Sequence, residues 1–119
     1  SEKIIGCAIT VHKALGPGLL ESAYEECLAE EFTFQKIQFE RQKPVPLIYR
    51  NIKLEVGYRL DFLVENKVIV ELKAQEIVPP VAKAQLLSYL RLLDKRLGLL
   101  LNFHNEILVK GIERVVNNL

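Results

Sequence analysis

The sequence predicts an α+β fold in which a mixed central sheet is flanked by helices. Three observations predict it: apolar residues recur at helical spacing near the start of the chain, two runs near the middle alternate like strands, and a continuous apolar run of strand length follows a third helical segment. In order, the elements are two helices, three strands, one helix and two strands.

The first two elements are predicted to be helices. Residues Glu2 to Leu15 place apolar side chains on one helical stripe, formed by Ile4, Ala8, Val11 and Leu15. Gly16-Pro17-Gly18 stops this helix, and a second helix is predicted from about Leu20 to Phe32.

Three extended segments are predicted next. The segment from Phe39 to Tyr49 contains Pro44 and Pro46, which indicate an edge strand or an irregular start because proline cannot donate to a neighbouring strand. We expect Arg50-Asn51 to form the turn into the strand at 57–64, which contains Asp61. The run 68–74 is the next strand.

The last three elements are a helix and two strands. Pro79-Pro80 opens a helix predicted from Val81 to Lys95, with Leu86, Leu90 and Leu93 at core spacing. The continuous apolar run Leu97 to Phe103 indicates a central buried strand. A final extended piece is predicted from Ile107 to Val116, although its part from 112 to 116 could instead be helical.

Composition indicates a globular protein with one domain, residues 1–119. Half of the residues are hydrophobic and 26% are charged, and no apolar run is long enough to cross a membrane. The start does not resemble a signal peptide. Cys7 and Cys27 lack metal-ligand spacing and are expected to be reduced residues of a cytoplasmic protein. The net charge of +1 neither supports nor excludes a nucleic-acid partner.

Three charged residues lie on the two central strand-like runs. Side chains alternate along a strand, so Glu71 and Lys73 share one face. If the hairpin folds about Asn66, then Asp61 lies opposite Glu71 on the same face, whereas a two-residue turn would break this alignment. Charges on a surface of Val, Ile and Leu are costly unless they are paired or bind a metal.

Two close carboxylates raise each other's pKa unless a hard cation such as Mg²⁺ favours ionisation of both. Such a cation can polarise a phosphoryl oxygen and acidify a bound water. Lys73 could then orient the attacking water or neutralise developing negative charge. The alternative is an ordinary cross-strand Glu–Lys pair on a solvated hairpin.

Further residues extend the pattern around Asp61. Gly57 stands four residues before it, Glu71-Leu72-Lys73 follows, and the third helix contains Gln85 and Tyr89 (QLLSY). This order resembles the PD-(D/E)XK nuclease superfamily, and the Gln-x-x-x-Tyr element is similar to that of its RecB-type nuclease branch.

A second motif lies upstream. Gly18, Glu21 and Tyr24 (GLLESAY) resemble the signature of the GxxExxY protein family, whose small domains are placed within that superfamily. Flanking segments are similar as well, namely 9–12 (ITVH), 15–21 (LGPGLLE), 39–44 (FERQKP), 57–61 (GYRLD) and 97–103 (LGLLLNF). The resemblance covers essentially the whole chain.

The resemblance implies a restriction-endonuclease-like core with a site for Mg²⁺ or Mn²⁺. By similarity, Asp61 and Glu71 would bind the metal, the backbone carbonyl of Leu72 would be a further ligand, and Lys73 would be the catalytic lysine. The superfamily's proline before the Asp is Leu60 here, a departure that does not disturb the carboxylate.

Supporting roles follow for residues on the helices. Gln85 and Tyr89 are one helical turn apart, so Gln85 would contact water or phosphate and Tyr89 would brace the site, unless both merely serve packing and solvation. Glu21 matches an upstream acidic residue that would bind metal or water. Alternatively, it is a first-turn carboxylate that complements the helix dipole.

Tyr24, His12 and Arg59 are candidate substrate-binding residues, although a half-buried structural histidine explains His12 as well. Arg59 belongs to a set of basic residues that could contact phosphates around the site: Arg41, Lys43, Arg50, Lys53, Arg59, Arg91, Lys95 and Arg96. No phosphate-binding glycine loop, Ser or Cys nucleophile with a placed His, or zinc-like Cys/His spacing is evident.

The resemblance therefore implies a metal-dependent nuclease acting on DNA or RNA. The alternative is a catalytically silent module with the same fold that binds nucleic acid or a protein partner. A homodimer could supply the surface that a small, nearly neutral chain lacks for gripping a duplex.

Overall fold

Three α-helices and a five-stranded sheet dominate the part of the chain that the computed structural model describes, residues 1–55 and 57–118. The helices are α1 (Glu2–Leu15), α2 (Glu21–Phe34) and α3 (Pro80–Leu92). The strands are β1 (Phe39–Pro44), β2 (Leu47–Tyr49), β3 (Ile52–Leu54), β4 (Arg59–Val64), β5 (Val68–Lys73), β6 (Leu97–Asn102) and β7 (Ile112–Val116).

The main sheet is mixed and has the strand order β1-β4-β5-β6-β7. Strands β5 and β6 are parallel, which requires the crossover through α3, and the other neighbouring pairs are antiparallel. This arrangement is the predicted α+β fold and is consistent with a restriction-endonuclease-like core. As predicted, the apolar strand β6 is internal and β1 lies at an edge.

Helices cover the sheet on both faces. Phe62, Val70 and Leu101 pack with residues of α1 and α2, whereas Leu63, Ile69 and Leu100 pack with residues of α3. A Cβ atom at Gly98 would come within 2.8 Å of the Leu86 side chain, so glycine permits the close approach of α3 to β6. Each fully buried Leu or Phe contributes roughly 1.5–3 kcal/mol to this core.

The hairpin of β4 and β5 has the register that places Asp61 opposite Glu71. Phe62 pairs with Val70 and Val64 with Val68, so the hairpin is centred on Asn66. Glu65 and Asn66 adopt left-handed φ angles of 54° and 57° in the turn. The register predicted for a hairpin that folds about Asn66 is therefore confirmed.

The predicted path between Phe39 and Asp61 is wrong. The extended segment 39–49 is divided between two sheets, because β1 ends at Pro44 and β2 pairs instead with β3. The turn at Arg50-Asn51 joins β2 to β3 and does not lead directly into β4. Both strands of this small hairpin are largely exposed, so local alternation could not reveal their partner.

Several element ends also differ from the prediction. Helix α2 begins at Glu21 and continues to Phe34. Helix α3 ends at Leu92 rather than Lys95, because Asp94 adopts a left-handed φ of 55° that stops the helix. The final extended piece is a 3₁₀ helix at Leu108–Gly111 followed by β7, so the helical alternative for 112–116 is wrong. Pairing with β6 gives β7 its hydrogen bonds.

Within residues 1–55 and 57–118, each helix is too short or too polar to span a bilayer.

Candidate active site

The strands β4 and β5 are joined by two side-chain hydrogen bonds where their pairing ends. The backbone N–H of Asp61 donates to Glu71 Oε2 at 2.8 Å, and the backbone N–H of Leu72 donates to Asp61 Oδ2 at 2.8 Å. Each carboxylate is thus fixed by the backbone of the opposite strand. The second oxygens, Asp61 Oδ1 and Glu71 Oε1, have no protein hydrogen-bond donor among the described residues.

Burial makes both carboxyl groups weaker acids than they are in water. Loss of hydration raises the pKa of Asp61 to about 6, although the Leu72 N–H opposes the shift. Burial raises the pKa of Glu71 to about 8, and the negative charge of Asp61 adds to this effect. At neutral pH, the Asp61–Glu71 pair therefore retains a proton that two separate, solvated carboxyl groups would have lost. Such a pair favours a cation that can replace the remaining proton.

Lys73 occupies the end of β5, two residues after Glu71, and is half-buried. Within the described residues its ammonium forms no ion pair shorter than 4 Å, so it is free to bind an anion. Its positive charge opposes the pKa increases of Asp61, Glu71 and Glu21. These four residues therefore share one electrostatic environment.

The loop before α2 positions Glu21. Gly18 has a φ of 99°, which favours glycine, and the buried Tyr24 hydroxyl donates to the Gly16 carbonyl and accepts from the Leu19 N–H. Tyr24 also stacks on Phe103 with ring centroids 4.5 Å apart. Gly18 and Tyr24 thus hold the loop, which leaves Glu21 in the first turn of α2. Burial raises the pKa of Glu21, and Glu25 adds to this increase.

Tyr89 lies on α3, which packs on the face of the sheet opposite to α1 and α2. Its ring is buried, and burial followed by the charge of Glu71 raises the pKa of its hydroxyl to about 12. Gln85 lies one helical turn earlier and is exposed. Among the described residues it forms no side-chain hydrogen bond, so the structure assigns its amide no partner.

A comparison with protein families identifies the superfamily of the chain. A family model described as the PD-(D/E)XK nuclease superfamily matches residues 1–115. The chain belongs to this superfamily. Searches of the curated proteins and of the solved structures found no match.

The PD-(D/E)XK superfamily implies a divalent cation, and the two carboxylates suit one. They offer hard oxygen donors, are poorly hydrated, and hold a proton that a cation would displace. Within residues 1–55 and 57–118, however, no group of three His, Cys, Asp or Glu side chains is close enough to hold a metal by itself. Asp61 and Glu71 would therefore need Leu72, water or substrate as further ligands.

The three candidate substrate-binding residues lie in different places. His12 is buried, and its Nε2 donates to the Asn105 carbonyl at 2.7 Å, which accounts for it as a packing residue of α1. The hydroxyl of Tyr24 is used within the loop before α2. Arg59 is exposed at the start of β4 and donates from Nη1 to the Gln42 carbonyl at 3.0 Å.

Sequence reasoning missed two residues that act on the site. The charge of Glu25 raises the pKa of Asp61, and Arg41 fixes the Glu25 carboxylate with contacts of 3.1 and 2.8 Å. Asn102 donates to the Gln75 carbonyl and accepts from the N–H groups of Gln75 and His104, next to Lys73. Glu25 stands four residues after Glu21, a helical spacing that could have indicated it from the sequence. No local pattern indicates Asn102.

Proposed function

We propose that the chain is a divalent-metal-dependent nuclease that hydrolyses phosphodiester bonds of nucleic acid. The observation that carries the proposal is the pair of half-buried Asp61 and buried Glu71, each fixed by the backbone of the opposite strand. Lys73 stands two residues further on, and its ammonium forms no ion pair in the described part of the chain. Membership of the PD-(D/E)XK superfamily supports it.

Asp61, Glu71 and the Leu72 carbonyl would hold Mg²⁺ or Mn²⁺, and Glu21 would bind through water. When bound, the cation supplies positive charge at the phosphoryl oxygens and acidifies water. The Lys73 ammonium orients the attacking water and stabilises negative charge that develops at phosphorus.

Helix α3 contributes to the same proposed site. The buried Tyr89 would brace the site from α3, while Gln85 on the exposed side of the helix would contact water or a phosphate of the substrate.

The proposal is tested by metal titration and by cleavage. We expect calorimetry with Mg²⁺ and Mn²⁺ to show binding by the parent and none by Asp61→Asn. Single-stranded and double-stranded DNA and RNA are then incubated with the parent, Glu71→Gln and Lys73→Ala. The exposed Glu113 on β7 supplies the matched control Glu113→Gln. Cleavage at the parental rate by both site variants would contradict the mechanism.

A second candidate is a catalytically silent module that binds nucleic acid or a protein. The observation that favours it is that each carboxylate already accepts a backbone hydrogen bond, which stabilises the site without metal. This candidate predicts binding that survives a chelator and shows no turnover. Metal-dependent cleavage lost in Glu71→Gln would exclude it.

The proposal also includes the family within the superfamily, the domain and the cellular setting. The loop held by Gly18 and Tyr24 supports membership of the GxxExxY family, and the approach of Tyr89 to Glu71 supports the RecB-type branch. We further propose that residues 1–119 act as one nuclease domain in a reducing, cytoplasmic setting, which suits the free thiols Cys7 and Cys27.

A further inference from the structure

The hairpin of β2 and β3 exposes an unusual amount of apolar surface. Its two strands pair only with each other in the described residues, and the exposed fractions of Ile48, Tyr49 and Ile52 are 62%, 62% and 57%. Leu47 pairs with Leu54 and Tyr49 with Ile52, so one face carries four apolar side chains. Since an isolated two-stranded hairpin is marginally stable, a bound partner would stabilise it.

The charge of this region indicates the kind of partner. The segment from Lys43 to Arg59 contains four basic residues and one acidic residue, a net charge of +3 in a chain whose total is +1. The rest of the chain is therefore net negative, and α2 contains five Glu and no basic residue. Positive charge is concentrated where the chain is most exposed, which favours a polyanion over a neutral surface.

A cavity lies at the base of the hairpin. Its volume is about 430 Å³, and its lining includes Lys53, Tyr58 and Arg59. Arg59 stands two residues before Asp61 in β4, and the centroid of the Tyr58 ring lies 6.1 Å from that of the Tyr89 ring. The cavity therefore lies beside the strand that contains Asp61. Its volume is within the range of small-ligand sites, roughly 300–1,000 Å³.

An aromatic ring at the cavity is exposed to stacking. Tyr58 is partly exposed there, whereas Tyr49 lies on the face of the hairpin opposite to Lys53. Lys53 has only a loose ion pair with Glu55, at 3.9 Å, and remains available to a phosphate. Cationic groups interleaved with aromatic rings are typical of surfaces that bind single-stranded nucleic acid, whose base faces are accessible.

We propose that the cavity and the β2–β3 hairpin bind single-stranded nucleic acid beside the scissile phosphate. Lys53 and Arg59 contact phosphates, and Tyr58 stacks on the base in the cavity. This inference rests on the proposed nuclease function and names its substrate class as an unpaired strand.

The test is fluorescence anisotropy with a labelled oligothymidine of about 12 nucleotides and a duplex of the same length, over a salt series. The protein used is the Glu71→Gln variant, so that cleavage of the oligonucleotide does not interfere with the binding measurement. Mg²⁺ is present throughout. We expect the single strand to bind about tenfold more tightly than the duplex. Adding Lys53→Gln and Arg59→Gln should weaken binding about tenfold and reduce the salt slope by about 1.4, the value for two phosphates of a single strand.

Two further variants separate stacking from charge. Tyr58→Leu should weaken binding about tenfold with an unchanged salt slope, because stacking involves no counterion release. The matched control, Lys67→Gln with Lys110→Gln, removes the same charge from two exposed sites outside the cavity lining and should leave the slope unchanged.

The outcomes distinguish this inference from the function on which it rests. The inference alone would be overturned by two results together. The Lys53/Arg59 variant would bind with the parental affinity and salt slope, while Glu71→Gln would still abolish cleavage by the otherwise unmodified chain. Equal affinity for duplex and single strand would also overturn the inference. Absence of both binding and cleavage in the parent would overturn both proposals. If sedimentation shows a dimer that Ile52→Ser dissociates, the hairpin is a contact between copies and the inference is wrong.

Discussion

At the scale of single residues, burial of Glu71 links stability to pH. Only 8% of this residue is exposed, and its pKa in the folded chain is about 8, above the ordinary value of 4.5. The folded state therefore binds this proton more tightly than the unfolded state. The resulting stabilisation is fully present below pH 4.5 and is lost as the pH rises through about 8. Without metal, alkaline solution leaves an unfavourable buried charge.

Glu71→Gln should remove this penalty. An amide keeps the acceptor for the Asp61 N–H but cannot ionise, so we expect the free energy of unfolding above pH 8 to rise by on the order of 2 kcal/mol. Below pH 4.5 the variant and the parent should differ little. Thermal denaturation of the parent and the variant over a range of pH, with a chelator present, measures the difference in stability above pH 8 and below pH 4.5. Glu113→Gln is the control. A constant offset at every pH would contradict the assignment.

Lys73 should affect turnover and not metal binding. Lys73→Ala removes an unpaired ammonium from the proposed phosphate position, and we expect kcat to fall by about 10²- to 10³-fold. The metal ligands stay in place, so calorimetric Mg²⁺ affinity should not weaken. Lys73→Arg, which keeps the charge, should retain more activity than Lys73→Ala. A large loss of metal affinity in Lys73→Ala would instead identify a structural role.

At the scale of secondary-structure elements, the end of β5 depends on β6. The Phe103 N–H donates to the Lys73 carbonyl, and the Asn102 amide binds Gln75 through both its donor and its acceptor. These bonds hold the chain that leaves the candidate site. We therefore expect Asn102 to be a positioning residue that holds the chain that follows Lys73.

Asn102→Ala should loosen this connection. The loss of buried hydrogen bonds at Gln75 and His104 should cost about 1–3 kcal/mol of stability. We expect kcat for cleavage to fall while KM stays unchanged, because Lys73 loses its fixed position. Chemical denaturation and steady-state kinetics test the two effects, and the exposed Asn118→Ala is the matched control. Wild-type kcat in a destabilised variant would rule out positioning.

The sequence predicted elements whose signals are local. Alternation placed Glu71 and Lys73 on one face, and a hairpin centred on Asn66 placed Asp61 opposite Glu71. The β2–β3 hairpin was missed because its residues look like a continuation of β1 until pairing shows otherwise. Asn102 was missed because its partner Gln75 is 27 residues away. Such contacts depend on how strands pair in space, which one sequence does not display.

At the scale of the whole molecule, metal binding should stabilise the fold more as the pH rises. Protons compete for Asp61 and Glu71, whose pKa values are about 6 and 8, so Mg²⁺ affinity should increase through this range. A ligand at about 100 times its Kd adds roughly 2.7 kcal/mol to the free energy of unfolding. We expect Mg²⁺ to raise Tm at pH 8 and to have little effect at pH 5.

Asp61→Asn is the variant that checks this linkage. It should remove the increase in Tm caused by Mg²⁺ at pH 8, whereas Glu113→Gln should keep it. An equal increase in the parent and in Asp61→Asn would show that the cation binds elsewhere on the chain.

The turn at Glu65-Asn66 determines whether the two carboxylates meet, although it lies at the opposite end of the hairpin. Asp61 stands five positions before Asn66, a distance of about 16 Å at roughly 3.3 Å per residue. Insertion or deletion of one residue there would turn one carboxylate to the other side of the sheet. We therefore expect a change of one residue in the length of this surface turn to separate the two carboxylates without altering any residue of the site.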